Sequence, residues 1–284
     1  MHTKCYDSCV RELLLTLSEK ELFLEQVWEY YQRYGRHDLP WRIPQADSSF
    51  DPYTILVSEL MLQQTQVARV IPKYRAFLAQ FPTSKALASA TLGEVLTQWQ
   101  GLGYNRRAKF IRQAAKLVTE RGDFPTSTAE LLELPGVGIN TAGAIQAYAF
   151  NQPAIFIETN IRTVYIHHFL PQSEAIPDST IRSLLTQTLD TERPRDFYWA
   201  LMDYGTWLKT NVRTNSQSKH YVRQSKFEGS KRQIRGYIIR ALTAQPMSRA
   251  QLYAQLQDSR LDEVLRELEI EAMIVKKRTK YSLY

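Results

Sequence analysis

The sequence predicts an all-α body followed by a small C-terminal unit, and three observations support that prediction. Apolar residues recur at spacings of three and four through most of residues 1–205, where no window alternates as a β-strand does. Pro, Gly, Ser, Thr and Asp stand at the boundaries of these segments, where such residues start or end helices. With 44% hydrophobic and 23% charged residues among 284, the chain has the composition of a globular protein with a sizeable core.

The body is predicted to contain about ten short helices, close to the usual helix length of globular proteins. The first, Phe23–Tyr34, carries apolar residues three and four apart, and Gly35 ends it. The second, Pro52–Leu62, follows Asp51 as its cap, with the proline in the first helical position. Pro72 is predicted to begin the third helix. The predicted helices from there on run over 73–80, 85–90, 94–100, 106–121, 128–133, 140–150, 161–169, 178–189 and 196–208.

Three domains are predicted: the body over 1–209, a basic linker over 210–230, and a compact unit over 231–284. The compact unit has three predicted helices and a hairpin of two short strands, the order of a winged helix-turn-helix. In such a unit the third helix enters the major groove of DNA and the hairpin, or wing, contacts the backbone. The third predicted helix, 260–271, is acidic, which argues against deep insertion, and the positive charge lies on the first helix and the wing. Winged helices also bind proteins, so both roles stay open.

Charge divides unevenly along the chain and indicates a polyanionic partner. Residues 206–284 hold 16 of the 36 Lys and Arg but only 7 of the 29 Asp and Glu. Cations that neutralise phosphates release condensed counterions, so nucleic acid is the expected partner, against the alternative of a tail that only serves solubility. No apolar run is long enough for a bilayer, no secretory signal begins the chain, and Cys5 and Cys9 form no disulfide framework. We therefore expect a cytoplasmic protein without membrane contact.

The segment Leu134–Gly138, with the sequence LPGVG, lies between two predicted helices. Gly136 and Gly138 let the backbone approach a ligand closely, and the following helix N-terminus offers N–H groups and a positive dipole end to an anion. The pattern is typical of a hairpin that holds a DNA phosphate without reading sequence, although an ordinary αα-hairpin has the same outline.

Two glutamates stand in apolar sequence surroundings. Glu59 lies in the otherwise apolar predicted helix 52–62, where burial raises the pKa of a carboxyl group unless it is paired. Glu158 follows three apolar residues at a predicted helix start, where it is either an N-terminal cap or an active-site acid. One protonated and one ionised carboxyl group are what cleavage of a glycosidic bond requires.

Several long segments resemble the helix–hairpin–helix DNA glycosylases in order and in separation, and within that family the MutY-type A/G-mismatch adenine glycosylases. The resemblance covers roughly residues 20–206. It implies a two-lobed helical fold with DNA bound across the cleft and the target nucleotide flipped into a pocket. The segments that carry it are 51–82, 99–111, 131–150 and 197–206, together with LPWR at 39–42.

The resemblance also implies roles for individual residues. Glu59 matches the general acid that protonates a purine ring nitrogen, Glu158 stands where the family has the aspartate that stabilises the sugar cation, and Asn160 matches the asparagine beside it. The expected base pocket is lined by Trp41, Arg42 and Trp199. The expected DNA-binding residues are Gln63, Gln64 and Thr65 of the segment that wedges into the duplex, Tyr104, Asn105, Gly136, Gly138, Asn140, and Lys219 and Lys226 of the linker.

The chain departs from the family pattern at several positions. Glu158 is one methylene longer than the family's aspartate, and Asn105 replaces a tyrosine that probes the opposite guanine lesion. Asn140 replaces the tyrosine of the adenine branch and the lysine of bifunctional relatives, so no Schiff base and no β-elimination are expected. Trp199 replaces a Gln or Glu that helps to recognise adenine. Residues 207–230 contain no cysteine for the family's iron–sulfur loop, so no cofactor is expected. The winged-helix unit replaces the family's domain for 8-oxoguanine recognition.

We therefore expect a monofunctional DNA N-glycosylase of base excision repair, of bacterial type and associated with the nucleoid. It is expected to act as a monomer on double-stranded DNA that contains a mismatched or damaged base. Adenine opposite guanine or 8-oxoguanine is the first expected substrate, and thymine, uracil or hypoxanthine is the alternative. A second hypothesis is a lesion- or structure-specific DNA-binding protein without catalysis. Residues 231–284 are also a candidate site for a protein partner.

Overall fold

The computed structural model describes residues 14–173, 175–212, 218–219 and 226–284, which leaves Cys5 and Cys9 outside the described residues. Within these residues the chain is mostly helical, which confirms the predicted all-α body. No helix in the described ranges is long and apolar enough to cross a membrane. The elements are α1 (Leu17–Tyr34), a 3₁₀ helix (Pro40–Arg42), α2 (Pro52–Leu62), α3 (Val67–Gln80), α4 (Ser84–Ser89), α5 (Leu92–Trp99), α6 (Arg106–Arg121), α7 (Thr128–Leu132), α8 (Ile139–Phe150), α9 (Thr159–Phe169), α10 (Asp178–Thr188), α11 (Pro194–Asn211), α12 (Lys231–Ala244), β1 (Met247–Ser248), α13 (Arg249–Leu256), α14 (Leu261–Ile270), β2 (Ile274–Lys277) and β3 (Lys280–Leu283).

Local sequence explains where many of these helices begin. Capping boxes open α1, α5, α7 and α13: a Ser or Thr side chain accepts a hydrogen bond from the backbone N–H three residues on, and the Glu or Gln side chain of that residue accepts one from the backbone N–H of the Ser or Thr. The side chain of Asp51 caps α2 as predicted, because it accepts a hydrogen bond from the Tyr53 N–H (N to Oδ1 2.8 Å). Pro52 fills the first position of that helix, where no N–H is needed.

Two predicted helix starts are wrong. Helix α1 begins at Leu17, earlier than predicted, because a Thr–Glu capping box precedes the apolar repeat. Helix α3 begins at Val67 rather than at Pro72, and the proline lies inside the helix. An interior proline removes one helical hydrogen bond and crowds the preceding turn. Burial of Val70 and Tyr74, on either side of the proline, anchors the helix in spite of that loss.

The chain divides into two compact units, and the first contains the described residues of Met1–Arg36 and Asn151–Val222. It holds α1, α9, α10 and α11, and α11 packs against both α1 and α9. The buried Asp203 of α11 accepts hydrogen bonds from the Arg36 backbone N–H (2.8 Å) and from its guanidinium (Nε to Oδ1 2.7 Å). This ion pair fixes the end of α1 to α11.

The second unit contains His37–Phe150 and the described residues of Arg223–Tyr284. Helix α2 packs against α3, α6 and α8, and α6 also packs against α4 and α5. The apolar residues of α2 are almost fully buried, Leu60 and Met61 among them, so this helix lies at the centre of the unit. Helix α2 is therefore a rigid support for Glu59.

Residues 231–284 form three helices and a three-stranded antiparallel sheet of order β1–β3–β2. The two predicted strands are present, with Ile274 paired to Leu283. The additional strand β1, in which Met247 pairs with Tyr281, was not predicted, because two residues are too short to show alternation. The order of helices and strands is that of a winged helix, and α12 packs against α5. The division into three domains stays a prediction.

Candidate active site and nucleic-acid interface

Glu158 occupies the N-cap position of α9 but does not act as a cap. Its backbone is extended (φ −104°, ψ 166°), as at most N-caps, yet its side chain makes no capping hydrogen bond. The residues before it, Phe156 and Ile157, are fully buried, and Glu158 itself is half-buried. The sequence left two alternatives for Glu158, an N-terminal cap or an active-site acid, and its side chain does not cap the helix.

The electrostatic setting of Glu158 combines burial with two nearby cations. Desolvation raises the pKa of its carboxyl group above the ordinary value, while Arg162 and Lys209 act in the opposite direction. Arg162 is itself held by Asp178 through two hydrogen bonds (Nε to Oδ1 2.6 Å, Nη2 to Oδ2 2.7 Å). The net effect is that the Glu158 carboxyl group holds its proton more tightly than an exposed glutamate does.

Asn160 lies in the first turn of α9, directly against α11. The backbone of Gly205 approaches it so closely that a Cβ added there would lie 2.3 Å from the Asn160 carbonyl oxygen. The Asn160 Oδ1 atom is buried and has no hydrogen-bond partner among the described residues, while Nδ2 lies 3.9 Å from the Met202 sulfur. A buried amide oxygen of this kind is available to a donor that enters the site. The sequence motif drew attention to the segment around Gly205 but not to this contact.

Glu59 lies on α2 and is half-buried. Its neighbours Ser58 and Leu60 are buried, and the Glu59 carbonyl oxygen accepts the hydrogen bond from Gln63 N (3.2 Å) that closes the helix. The general acid expected from the family therefore sits in the last turn of a rigid helix, one turn before the segment expected to wedge into DNA.

That segment, Gln63 to Thr65, leaves the helix in an irregular turn. Gln64 has a positive φ of 53°, a conformation that non-glycine residues adopt in few places. The Gln63 side chain contacts the hydroxyl of Thr141 on α8 (3.4 Å), and the Thr65 hydroxyl contacts the Leu102 carbonyl (3.3 Å). The segment is thus held by the elements on both sides of it.

Arg107 is a site residue that the sequence reasoning missed. It is buried, and desolvation lowers the pKa of its guanidinium to about 10, so it remains a cation at neutral pH. It connects the end of α2 to the loop before α6, and both segments carry expected DNA contacts. Nη1 donates to the carbonyls of Leu60 (2.6 Å), Met61 (3.0 Å) and Gln63 (2.6 Å), and Nη2 to Thr65 Oγ1 (3.2 Å) and the carbonyls of Leu102 (3.2 Å) and Gly103 (3.1 Å).

The loop before α6 carries Tyr104 and Asn105. Gly101, Gly103 and Tyr104 all have positive φ angles, so the loop turns sharply. The guanidinium groups of Arg107 and Arg232 lie over the tyrosine ring, 5.4 and 5.6 Å from its centre. The Tyr104 hydroxyl accepts a hydrogen bond from Arg232 Nη1 of the winged helix (2.7 Å). Asn105 takes the N-cap position of α6 without a side-chain capping bond.

The LPGVG hairpin joins α7 to α8. Gly136 has φ +85°, and a Cβ there would lie 2.9 Å from Phe110 Cβ and 3.4 Å from Leu60 Cδ2. The hairpin therefore packs directly on α6 and on α2, the helix of Glu59. Gly138 is exposed, with nothing within 4 Å of an added Cβ, and Asn140 lies half-buried in the first turn of α8. This open face is where a helix N-terminus presents its N–H groups to an anion.

The expected pocket and linker residues are placed as follows. Trp41 and Arg42 lie in the 3₁₀ helix, and both are buried; the Trp41 ring packs edge-on against Tyr74. Trp199 is buried in α11. A role of these three in a base pocket stays a prediction. Lys219 and Lys226 are exposed, and the Lys219 N–H donates to the Ile176 carbonyl (3.1 Å).

Each unit brings together part of the expected site. Glu59, the wedge segment, the loop of Tyr104 and the hairpin belong to the second unit, while Glu158, Asn160 and Trp199 belong to the first. Within the second unit, the buried Arg107 and the close packing at Gly136 join the expected DNA contacts to α2. The juxtaposition of Glu59 and Glu158 across a cleft stays a prediction.

Comparison with known proteins gives consistent results. Residues 57–188 match the HhH-GPD superfamily of base excision DNA repair proteins. Among curated proteins, the adenine DNA glycosylase of Buchnera aphidicola (subsp. Baizongia pistaciae) is 36% identical over 77% of this chain and 64% of its own length. The human adenine DNA glycosylase is 39% identical over 71% of this chain and 38% of its own length. That of Mycobacterium tuberculosis is 32% identical over 87% of this chain and 88% of its own length. The chain thus spans less than two thirds of the Buchnera and human proteins.

Solved structures resemble the fold. A thermostable thymine-DNA glycosylase superimposes with a TM-score of 0.58 at 24% identity, over 66% of this chain and 86% of its own. Endonuclease III, in a trapped covalent intermediate with DNA, superimposes with a TM-score of 0.56 at 18% identity, over 68% of this chain and 88% of its own. These similarities confirm the predicted helical architecture.

Proposed function

Because the chain belongs to the HhH-GPD superfamily of base excision DNA repair proteins, we propose that it is a monofunctional DNA N-glycosylase that removes adenine opposite guanine or 8-oxoguanine. The observation that carries the proposal is the Glu158 carboxyl group. It stands at a helix N-terminus without capping it, in a desolvated setting that raises its pKa. The carboxyl group is therefore not engaged in ending the helix.

In the proposed reaction, two carboxyl groups divide the work. Glu59 donates a proton to a ring nitrogen of adenine as the bond between the base and C1′ breaks, and the electron pair of that bond leaves with the base. Ionised Glu158 offsets the positive charge that grows on the deoxyribose and accepts the proton of the water that attacks C1′. The products are free adenine and an abasic site.

Substrate binding falls to the second unit. The hairpin at Gly136 and Gly138 holds a phosphate, and the wedge segment at Gln63 to Thr65 enters the duplex where the nucleotide leaves it. Arg107 supports both the wedge and the loop of Tyr104 with hydrogen bonds to backbone carbonyls. The surface that separates the base pair is thus preformed, so no additional free energy is needed to order a loop when the DNA binds.

Two differences from relatives bear on the proposal. Asn140 supplies no amine, so the reaction stops at hydrolysis of the glycosidic bond. Glu158 is longer than the family's aspartate, and the close packing of Gly205 on α9 fixes the backbone from which that longer side chain reaches. We further propose that the protein acts as a cytoplasmic monomer and without an iron–sulfur cluster, since residues 207–230 contain no cysteine.

The proposal is tested by single-turnover incubation with a panel of duplexes that differ only in the central pair. Adenine opposite 8-oxoguanine, adenine opposite guanine, thymine opposite guanine, uracil opposite guanine and hypoxanthine opposite thymine form the panel. We expect abasic sites from the two adenine duplexes and no strand breaks before alkali treatment. If only another base were released, that base would be the substrate instead of adenine. Tight binding without abasic sites on any duplex would support the second hypothesis, a DNA-binding protein without catalysis.

A further inference from the structure

In the winged-helix unit, three of the four carboxylates of the third helix, α14, form ion pairs with cations of the other two helices. Five of the seven ion pairs described within residues 231–284 or to them join α14, or Glu271 directly after it, to a cation of α12 or α13. The other two join Arg260 to Asp258 in the turn before α14 and Arg106 of α6 to Glu271. The five are the pairs of Lys231 with Glu263 and Glu267 (2.9 Å for Glu267), Arg235 with Glu267 (3.4 Å) and Glu271, and Arg249 with Asp262 (2.7 Å).

The consequence is that Lys231 and Arg235 of α12 and Arg249 of α13 are held by carboxylates. Part of the positive charge expected on the first helix is therefore already engaged with carboxylates, through Lys231 and Arg235. An acidic helix with four carboxylates and one arginine is not attracted to a groove lined by phosphates. If this unit contacts DNA, another surface must do so.

The hairpin of β2 and β3 is that surface. Its four cations, which we name the basic wing, are exposed and lack an ion pair with any described residue. Arg278 turns the hairpin with a positive φ of 55°, and Lys276 lies over the Tyr281 ring at 5.5 Å from its centre. The basic wing consists of Lys276, Lys277, Arg278 and Lys280.

The basic wing is rigidly attached close to the expected DNA contacts of the same unit. Lys109 of α6 donates a hydrogen bond to the carbonyl oxygen of Glu271, and Arg106 lies 3.8 Å from its carboxylate. Arg232 binds the hydroxyl of Tyr104. From Glu271 to the tip at Arg278 the chain can extend at most about 25 Å. That reach is shorter than one turn of B-DNA, about 34 Å.

We infer that the basic wing is a second DNA-contact surface, which holds phosphates of the duplex within about one helical turn of the damaged base. This inference rests on the proposed function for the location of the damaged base. The wing is expected to contact the phosphate backbone, as the hairpin of a winged helix does. The acidic α14 stays outside the groove.

The experiment measures the affinity of the full chain for duplexes with a central non-cleavable abasic analogue, as a function of salt concentration. The variant K277Q/R278N/K280Q removes three charges, and asparagine at 278 suits the positive φ. Lys276 is left in place because it packs on Tyr281. The matched control, K277R/K280R, keeps the charges. The thermal midpoint of each variant verifies that the unit remains folded.

On a duplex with two helical turns on each side of the lesion, we expect the slope of log affinity against log salt to fall by about 2.7 in the neutralised variant. The control should keep the wild-type slope. On a duplex with only a few flanking base pairs, the neutralised variant and the wild type should have equal slopes. Equal slopes on the long duplex would overturn the inference. Excision by the wild type on matching cleavable duplexes tests the proposed function separately.

Discussion

The contact between α9 and α11 predicts a large effect of one methyl group. In the substitution Gly205→Ala, the new Cβ would lie 2.3 Å from the Asn160 carbonyl oxygen and 2.8 Å from Asn160 Cβ. Ordinary contact distances begin near 3.4 Å, so the start of α9 must move by about 1 Å. A misplacement of about 1 Å in a catalytic group costs about 100-fold in rate. Overpacking of this kind also costs roughly 1–3 kcal/mol of stability.

The assay is single-turnover excision of adenine, with DNA binding measured in parallel. We expect G205A to excise about 100-fold more slowly while its affinity for an abasic-analogue duplex changes little, because the hairpin belongs to the other unit. Gly236→Ala is the matched control: it lies in the interior of α12, where an added Cβ meets nothing within 4 Å. Its alanine should be neutral or stabilise by about 1 kcal/mol. Wild-type excision by G205A would refute the claim that this contact positions Glu158 and Asn160.

Three further predictions concern the charged groups. The raised pKa of Glu158 implies that the folded protein binds its proton more tightly than the unfolded chain, so stability falls as pH rises from the ordinary value of 4.5 through the folded value. E158Q should therefore have a higher thermal midpoint than the wild type at pH 8 and an equal one near pH 4; a lower midpoint at pH 8 would contradict the assignment. The charge of Lys209 lowers the pKa of Glu158, so K209M should raise that pKa and move the acidic limb of the pH–rate profile for excision to higher pH. An unchanged acidic limb would show that Lys209 does not act on Glu158. R107M leaves several carbonyls without their donor and should lower the free energy of unfolding by about 3 kcal/mol or more, as measured by urea denaturation; a loss below about 1 kcal/mol would contradict its role as a connector.

Helix positions could be predicted from the sequence where local chemistry decides them. Asp51 followed by Pro52 specifies both the cap and the first helical position of α2, and the structure agrees. Pro72 misled the prediction of α3, because the cost of an interior proline is local while the burial that offsets it is tertiary. Tertiary packing is not visible in a window of a few residues.

The sequence predicted the types of residue in the candidate site but not the residues that hold them in position. Glu59 and Glu158 attract attention because a carboxyl group is unusual in an apolar segment. Arg107 does not, since nothing in its sequence surroundings shows that seven acceptors from residues 60–65 and 102–104 converge on it. The close approach at Gly205 likewise depends on a neighbouring helix. Such positions are found only when the packing is known.

The central claim, that two carboxyl groups perform the chemistry, is tested most directly by single-turnover excision with E59Q and E158Q on the adenine:8-oxoguanine duplex. Both variants keep the size and hydrogen-bonding ability of the side chain while they remove its charge and acidity. We expect each to lower the rate by about 10²- to 10⁴-fold, with binding to an abasic-analogue duplex retained. E158D, which restores the family's aspartate, should remain active. Excision at the wild-type rate by either glutamine variant would contradict the account.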